Sequence, residues 1–140
     1  MRNGEFSALV LRLPENVTYL SGAWCGRGLS YLVFPYEKDP ILIHPSGETL
    51  PPTWVSDIRY YTWETYENLG DSLDIGTSIV RDAISELGLR SGIIGLEQGW
   101  EFVFGSSLRY EVNVIGERTQ SILKQKLRSF TIKDASQLLR

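Results

Sequence analysis

The chain has 140 residues, enough for one domain with its own apolar core and short for two. Its 14 basic and 17 acidic residues give a net charge of −3, which argues against a nucleic-acid binder built on a basic face. One cysteine and one histidine exclude an internal disulfide and leave little for a Cys/His zinc site.

The first apolar run, residues 7–13, is uncharged until Arg12 and is stopped by Pro14, as a buried strand would be. Pro14-Glu15-Asn16-Val17-Thr18-Tyr19-Leu20-Ser21-Gly22 follows. A proline at the first helical position, an early acid and a closing glycine predict a short helix. Residues 29–36 and 41–44 are aromatic and β-branched, and Glu37-Lys38-Asp39-Pro40 between them is turn chemistry, so a β-hairpin is expected. Residues 47–55, with Pro51-Pro52, predict a short helix or an irregular link, and residues 58–63 a strand.

The clearest helix runs from about Ile75 to Leu87, where Ile75, Ile79, Val80, Ala83, Ile84 and Leu87 share one face. Asp71 or Asp74 can cap its start and Gly88 can close it. Residues 92–97 form a further buried strand. The stretch 98–116 is aromatic at Trp100, Phe102 and Phe104, and 112–115 has strand character. Residues 117–127 predict a helix with Ile122, Leu123 and Leu127 inward and a short basic stretch at Lys124, Lys126 and Arg128. Residues 130–134 predict a last strand. Strands alternating with helices after a hairpin predict an α/β domain: a mixed β-sheet with helices on both faces. No run approaches about 18 apolar residues, and the N-terminus lacks a basic-then-apolar leader. The expectation is a cytoplasmic protein with no membrane or nucleic-acid partner.

Catalytic groups are scarce. His44 ends a strand before Pro45, and Cys25 lies between Trp24 and Gly26; both read as structural residues. Gly22, Gly26 and Gly28 fit neither a phosphate loop nor a dinucleotide fingerprint. The expected strands 7–13, 29–36 and 41–44 carry no Asp or Glu to build a carboxylate metal cluster. Glu97, a lone acid at a strand end, reads as a helix cap or a surface group.

The stretch from Pro14 to Gly22 resembles the Asn-(apolar)-x-Tyr-Leu-(Ser/Thr)-Gly signature near the start of the creatinase/prolidase family. The same family order is resembled by Tyr31-Leu32-Val33-Phe34-Pro35, by Pro40-Ile41-Leu42-Ile43-His44-Pro45, by Trp54 with Asp57-Ile58-Arg59-Tyr60-Tyr61, by Glu86-Leu87-Gly88-Leu89 leading into Gly95-Leu96-Glu97, and by Asp134-Ala135-Ser136-Gln137-Leu138-Leu139-Arg140. The resemblance implies a single creatinase-type N-terminal domain over 1–140, with a sheet of about six strands and a ribonuclease H-like motif. Nuclease activity is not expected, because the first strand lacks the acid that would hold Mg²⁺. The resemblance further implies a parent enzyme of the Xaa-Pro aminopeptidase, prolidase, creatinase or related amidinohydrolase kind. There, two divalent metal ions sit in a C-terminal catalytic domain of the pita-bread type, which this chain lacks. The domain's own partners would be that catalytic domain and a second subunit in a homodimer, with a part in covering the active site. Two departures stand out: only residues 1–6 precede the first strand, where the family has a helix, and 98–116 is longer than the usual link.

One loop carries a site expectation. In creatinase-like relatives an aromatic followed by Gly-Arg, at the place matched by Trp24-Cys25-Gly26-Arg27-Gly28, reaches the other subunit's active site. Gly26-Arg27 match, Cys25 replaces the aromatic, and Trp24 can supply the ring. The resemblance therefore makes Arg27 and Trp24 the substrate-proximal candidates, with no catalytic or metal-binding residue in the chain. The alternative is a surface loop whose glycines only serve a turn. A second reading of the whole chain is a free-standing ligand-binding or interaction module, and a third a complete small enzyme. Leu138-Leu139-Arg140 reads like the opening turn of a helix, which favours a fragment of a longer protein.

Overall fold

A computed structural model describes residues 5–25, 28–62, 65, 67, 70–97 and 117–139. The expected strand at 112–115, the aromatic stretch from Trp100 to Phe104, Trp63 and the Gly26-Arg27 pair lie outside the described residues. Six strands form one mixed sheet: β1 (Ala8–Leu11), β2 (Tyr31–Pro35), β3 (Ile41–Pro45), β4 (Asp57–Tyr61), β5 (Ile93–Leu96) and β6 (Thr131–Asp134), in the order β4-β3-β2-β1-β5-β6. The β1–β2 and β2–β3 pairs are antiparallel, and β3–β4, β1–β5 and β5–β6 are parallel. The first strand therefore sits centrally, which suits its four fully buried residues. The expected hairpin is β2–β3, and the expected sheet of about six strands is observed.

Helices cover both faces. On one, α2 (Ser72–Glu86) and α3 (Glu117–Lys126) pack on Ala8, Val10, Tyr31, Val33, Ile41, Ile43, Ile94 and Leu96. Val80, Ala83 and Ile84 are buried there, with Ile75, Ile79 and Leu87 packed beside them, so the helical stripe faces the sheet as expected. Asp71 caps α2 by accepting the Leu73 N–H at 3.0 Å, and Gly88 follows the helix at φ +76°, the left-handed conformation that glycine adopts without strain. Lys126 Nζ pairs with Asp74 at 2.8 Å and Arg118 with Asp71, tying α3 to α2. Leu123 and Leu127 face the core.

On the other face, α1 (Pro14–Ser21) packs Val17 against Leu9, Leu11, Leu32 and Leu42. Pro14 opens the helix and Gly22 closes it at φ +75°. Residues 47–55 are an irregular link that places Val55 in this second core. A short 3₁₀ helix, Ser136–Leu138, follows β6 and brings Ala135 and Leu139 to the same face.

Candidate functional site

The loop that leaves α1 carries Trp24, and its order begins in α1's last turn. The Gly22 N–H donates to the Thr18 carbonyl at 2.8 Å, and Ser21 Oγ donates to Val17 O at 2.6 Å. The Ser21 carbonyl accepts from Thr53 Oγ1 at 2.5 Å and from the Trp54 N–H at 3.3 Å, which brings the 47–55 link against the end of α1. Beyond Gly22 the chain alternates. Ala23 and Cys25 are buried in the second core, while Trp24 between them is 58% exposed. Trp54 is 59% exposed. Two indoles thus stand open to solvent around the α1 terminus. Arg27, the other expected site residue, lies outside the described residues, so only Trp24 is placed.

Cys25, next to Trp24 in the chain, belongs to a buried polar cluster. Ser30 Oγ is 2.8 Å from His44 Nδ1, and Cys25 Sγ is 3.9 Å from the same nitrogen. All three residues are buried, and the Tyr60 ring meets the His44 ring edge-on at 6.3 Å between centroids. Burial pushes the Cys25 thiol above its ordinary range and holds the His44 imidazole below its own, with Glu48 pulling the imidazole back up. At neutral pH the pair is a thiol and a neutral imidazole. A nucleophilic cysteine requires the thiolate and an approach for substrate, and this pair has neither. Both side chains are packed in the core.

The loop's far end is fastened on the opposite face of the sheet. The Leu29 carbonyl accepts from Tyr61 Oη at 2.6 Å, and burial keeps that phenol protonated well above its usual range. The Gly28 carbonyl accepts from Arg12 Nε at 2.8 Å, and the Gly28 N–H donates to the Cys25 carbonyl at 3.3 Å. Gly28 has φ +65°, which a side chain would strain. Arg12 also donates from Nη1 to Thr119 Oγ1 at 2.7 Å, and its guanidinium lies 5.4 Å from the centre of the Tyr31 ring.

Glu97, just past β5, is buried and fully used. Its Oε2 accepts the N–H groups of Arg12 at 2.7 Å and Leu13 at 3.0 Å, and its Oε1 accepts from Asn16 Nδ2 at 2.6 Å. Burial pushes this carboxyl above its ordinary range, against the pull of the three donors. It fastens the link between β1 and α1 by binding the N–H groups just before the helix; it is neither the cap nor the surface group that the sequence led us to expect, since it takes no first-turn N–H and is buried. Sequence reasoning missed Arg12, Ser30 and Tyr61. Only Arg12 carried a signal, as a lone cation at the end of a buried strand.

An open groove of about 620 Å³ lies on the α1 face, lined by Leu9, Asn16, Tyr19, Leu20, Phe34 and Leu139 among others. Among the described residues that line it there is no acid, histidine or lysine, and its polar groups include the Tyr19 and Tyr36 phenols. Among the described residues no group of three or more His, Cys, Asp or Glu side chains could hold a metal ion, and no helix is long and apolar enough to cross a membrane.

No protein-family model matches the chain, and no curated protein does. Solved structures do. A dipeptidase from Pyrococcus horikoshii OT3 superposes over 96% of the chain with a TM-score of 0.58 at 18% identity. A Xaa-Pro aminopeptidase from Streptococcus pyogenes matches over 96% with a TM-score of 0.52 at 16% identity, and a prolidase from Thermococcus sibiricus over 95% with 0.53 at 13%. The chain spans 31% of the dipeptidase chain, 31% of the prolidase chain and 84% of the aminopeptidase chain. The domain therefore has an α/β fold shared with these peptidase structures, the fold that its resemblance to the creatinase/prolidase family implies.

Proposed function

We propose that this chain is the N-terminal, non-catalytic domain of a cytoplasmic creatinase/prolidase-type metallohydrolase, a Xaa-Pro peptidase or related amidinohydrolase. The observation that carries this reading is the coverage: nearly the whole chain matches less than a third of two peptidase chains. The remaining two thirds of such a protein would hold the reacting groups. The two divalent ions of the family find no fitting set of donors among the described residues here, so they belong to the catalytic domain in this reading.

The domain's own contribution is the loop after α1. In a homodimer this loop covers the mouth of the neighbouring subunit's active site. Arg27 offers a fork of N–H donors that a substrate carboxylate can accept in two parallel hydrogen bonds. Trp24 offers an open indole face for an apolar side chain or a proline ring. Neither group moves a proton; both orient the substrate and exclude water.

Kinetics of the complete enzyme test the reading. Arg27→Ala should lower kcat/KM for a Xaa-Pro dipeptide by about tenfold to hundredfold, the loss of one charge-assisted contact. Unchanged kinetics would leave the loop a plain turn. A second reading, a free-standing binding module, draws support from the Streptococcus pyogenes match, whose solved chain is barely longer than the match itself. Isolation of the native protein as a single species of the mass of this chain would favour it.

A further inference from the structure

We propose that the groove on the α1 face is a binding site for a small uncharged aromatic molecule that carries one hydrogen-bond donor. Its floor is made by Leu9 and Phe34, register partners on the antiparallel β1–β2 pair. One wall is α1, with Asn16 and Tyr19, and the other is the 3₁₀ helix with Leu139 just after it. The chain's own hydrogen bonds hold these walls in place. The Leu138 N–H donates to the Ala135 carbonyl at 2.9 Å, the Ser136 N–H to Asp134 Oδ1 at 2.9 Å, and the Tyr36 N–H to the Ser7 carbonyl at 3.1 Å. A preformed groove loses little freedom when a ligand enters. Its volume of about 620 Å³ lies inside the range of roughly 300–1,000 Å³ typical of small-molecule sites.

The polar groups of the lining decide what the ligand must bring. Asn16 Nδ2 donates to Glu97 Oε1 at 2.6 Å, and the two other groups bound to that side chain are also N–H donors. A carboxylate only accepts, so the Asn16 amide cannot turn over, and its second polar atom is the acceptor Oδ1. Among the described residues Oδ1 receives no donor. The other polar groups are the phenols of Tyr19 and Tyr36, both exposed and therefore at the rim. The described lining thus holds a fixed acceptor, two phenols and no charged side chain. A charged ligand would give up water here without an opposite charge to meet, a cost that an uncharged ring avoids. A ring also suits Phe34 and the two phenols, which offer aromatic faces and edges. One N–H or O–H on that ring answers Asn16 Oδ1. A second copy of the chain fits less well, because both copies carry a net charge of −3 and the exposed acids Glu15 and Glu37 adjoin Asn16 and Tyr36 in the chain.

Titration of the isotope-labelled 140-residue chain with indole, followed by amide chemical shifts, tests the site. Indole supplies an apolar ring and one N–H. Saturable shifts are expected at Leu9, Asn16, Leu20 and Phe34, while Val80 and Ile84 on the other face of the sheet stay put. N-Methylindole keeps the ring, loses the donor and should bind about three- to tenfold more weakly, the loss of one hydrogen bond. Indole-3-acetate and tryptamine add a negative and a positive charge to the same ring, and both should bind more weakly than indole. Tyr19→Ala removes an exposed rim phenol, so it should weaken indole binding and leave the thermal midpoint of the fold as it was. Asn16→Leu should erase the difference between indole and N-methylindole. If that variant does not fold, the ligand pair on the unchanged chain carries the same test. Shifts that do not saturate, that fall on α2 instead, or that N-methylindole reproduces at equal affinity overturn the proposal. Tighter binding of either charged compound overturns the uncharged class. Shifts of the same amides on raising the protein concentration alone would make a second copy the occupant, and the proposal would fall.

Discussion

Gly76 meets Tyr31 so closely that a Cβ at position 76 would lie 2.7 Å from Tyr31 Cε2. Gly76 sits in the second turn of α2, where glycine lowers helix propensity, and the Tyr31 ring beneath it is 1% exposed and cannot swing away. The helix gives up intrinsic stability there so that it can approach the sheet. That approach seats Tyr31 under the Arg12 guanidinium.

Gly76→Ala is therefore expected to destabilise the chain in spite of the better helix former. Overpacking costs about 1–3 kcal/mol and the propensity gain returns about 1 kcal/mol, a net loss on the order of 1 kcal/mol. Chemical denaturation checks it, and a raised midpoint would show that the ring yields.

Ile84→Ala should cost more. Ile84 is 1% exposed in the core that α2 shares with the sheet, and removing its outer carbons leaves a cavity worth roughly 2–5 kcal/mol. An unchanged midpoint would mean that the stripe is lightly packed.

Glu97→Ala should loosen the link between β1 and α1. It leaves the Arg12 and Leu13 N–H groups and the Asn16 amide without their acceptor, at about 1–3 kcal/mol for each donor that water does not reach. Glu97→Gln keeps the shape and one acceptor oxygen, and should recover much of the loss in the same denaturation series.

The pH dependence should carry the mark of His44. Its folded pKa lies below the ordinary value of about 6.5, so the unfolded chain takes up the proton first. The stability that neutral His44 contributes is complete above that value and is lost as pH falls through it. Ser30, Cys25, Glu48 and Tyr60 surround the ring, and burial outweighs the pull of Glu48. Denaturation of wild type and His44→Gln at pH 7.5 and pH 5 should show the wild-type advantage shrinking in acid. A constant gap would mean that the imidazole titrates as it does in the unfolded chain.

Much of this fold was legible in the residues. Buried strands announced themselves as uncharged apolar runs ending at Pro14, Pro45 or Glu97, and α2 by its 3.6-residue stripe. Pro14 and Gly22 bracketed α1 to the residue. The contacts of Arg12 were not legible, because their parts are remote in sequence: Arg12 meets Glu97 across 85 positions and Thr119 across 107. Local pattern carries no information on such pairs. Gly76 was a missed signal, since an isolated glycine inside a helical stripe often marks a close approach. For the site, Trp24 stands exposed, and Arg27 lies outside the described residues. Ser30 and Tyr61 gave no sign, because a serine and a tyrosine in or beside a strand look the same whether or not they hold a loop.

The most direct test of the non-catalytic reading is metal analysis joined to a turnover assay on the purified 140-residue chain. After loading with Mn²⁺, Co²⁺ or Zn²⁺ and removal of free ions, the expected result is substoichiometric metal and no hydrolysis of a Xaa-Pro dipeptide. One or more metal ions per chain together with sustained turnover would contradict it, and would make this domain an enzyme in its own right.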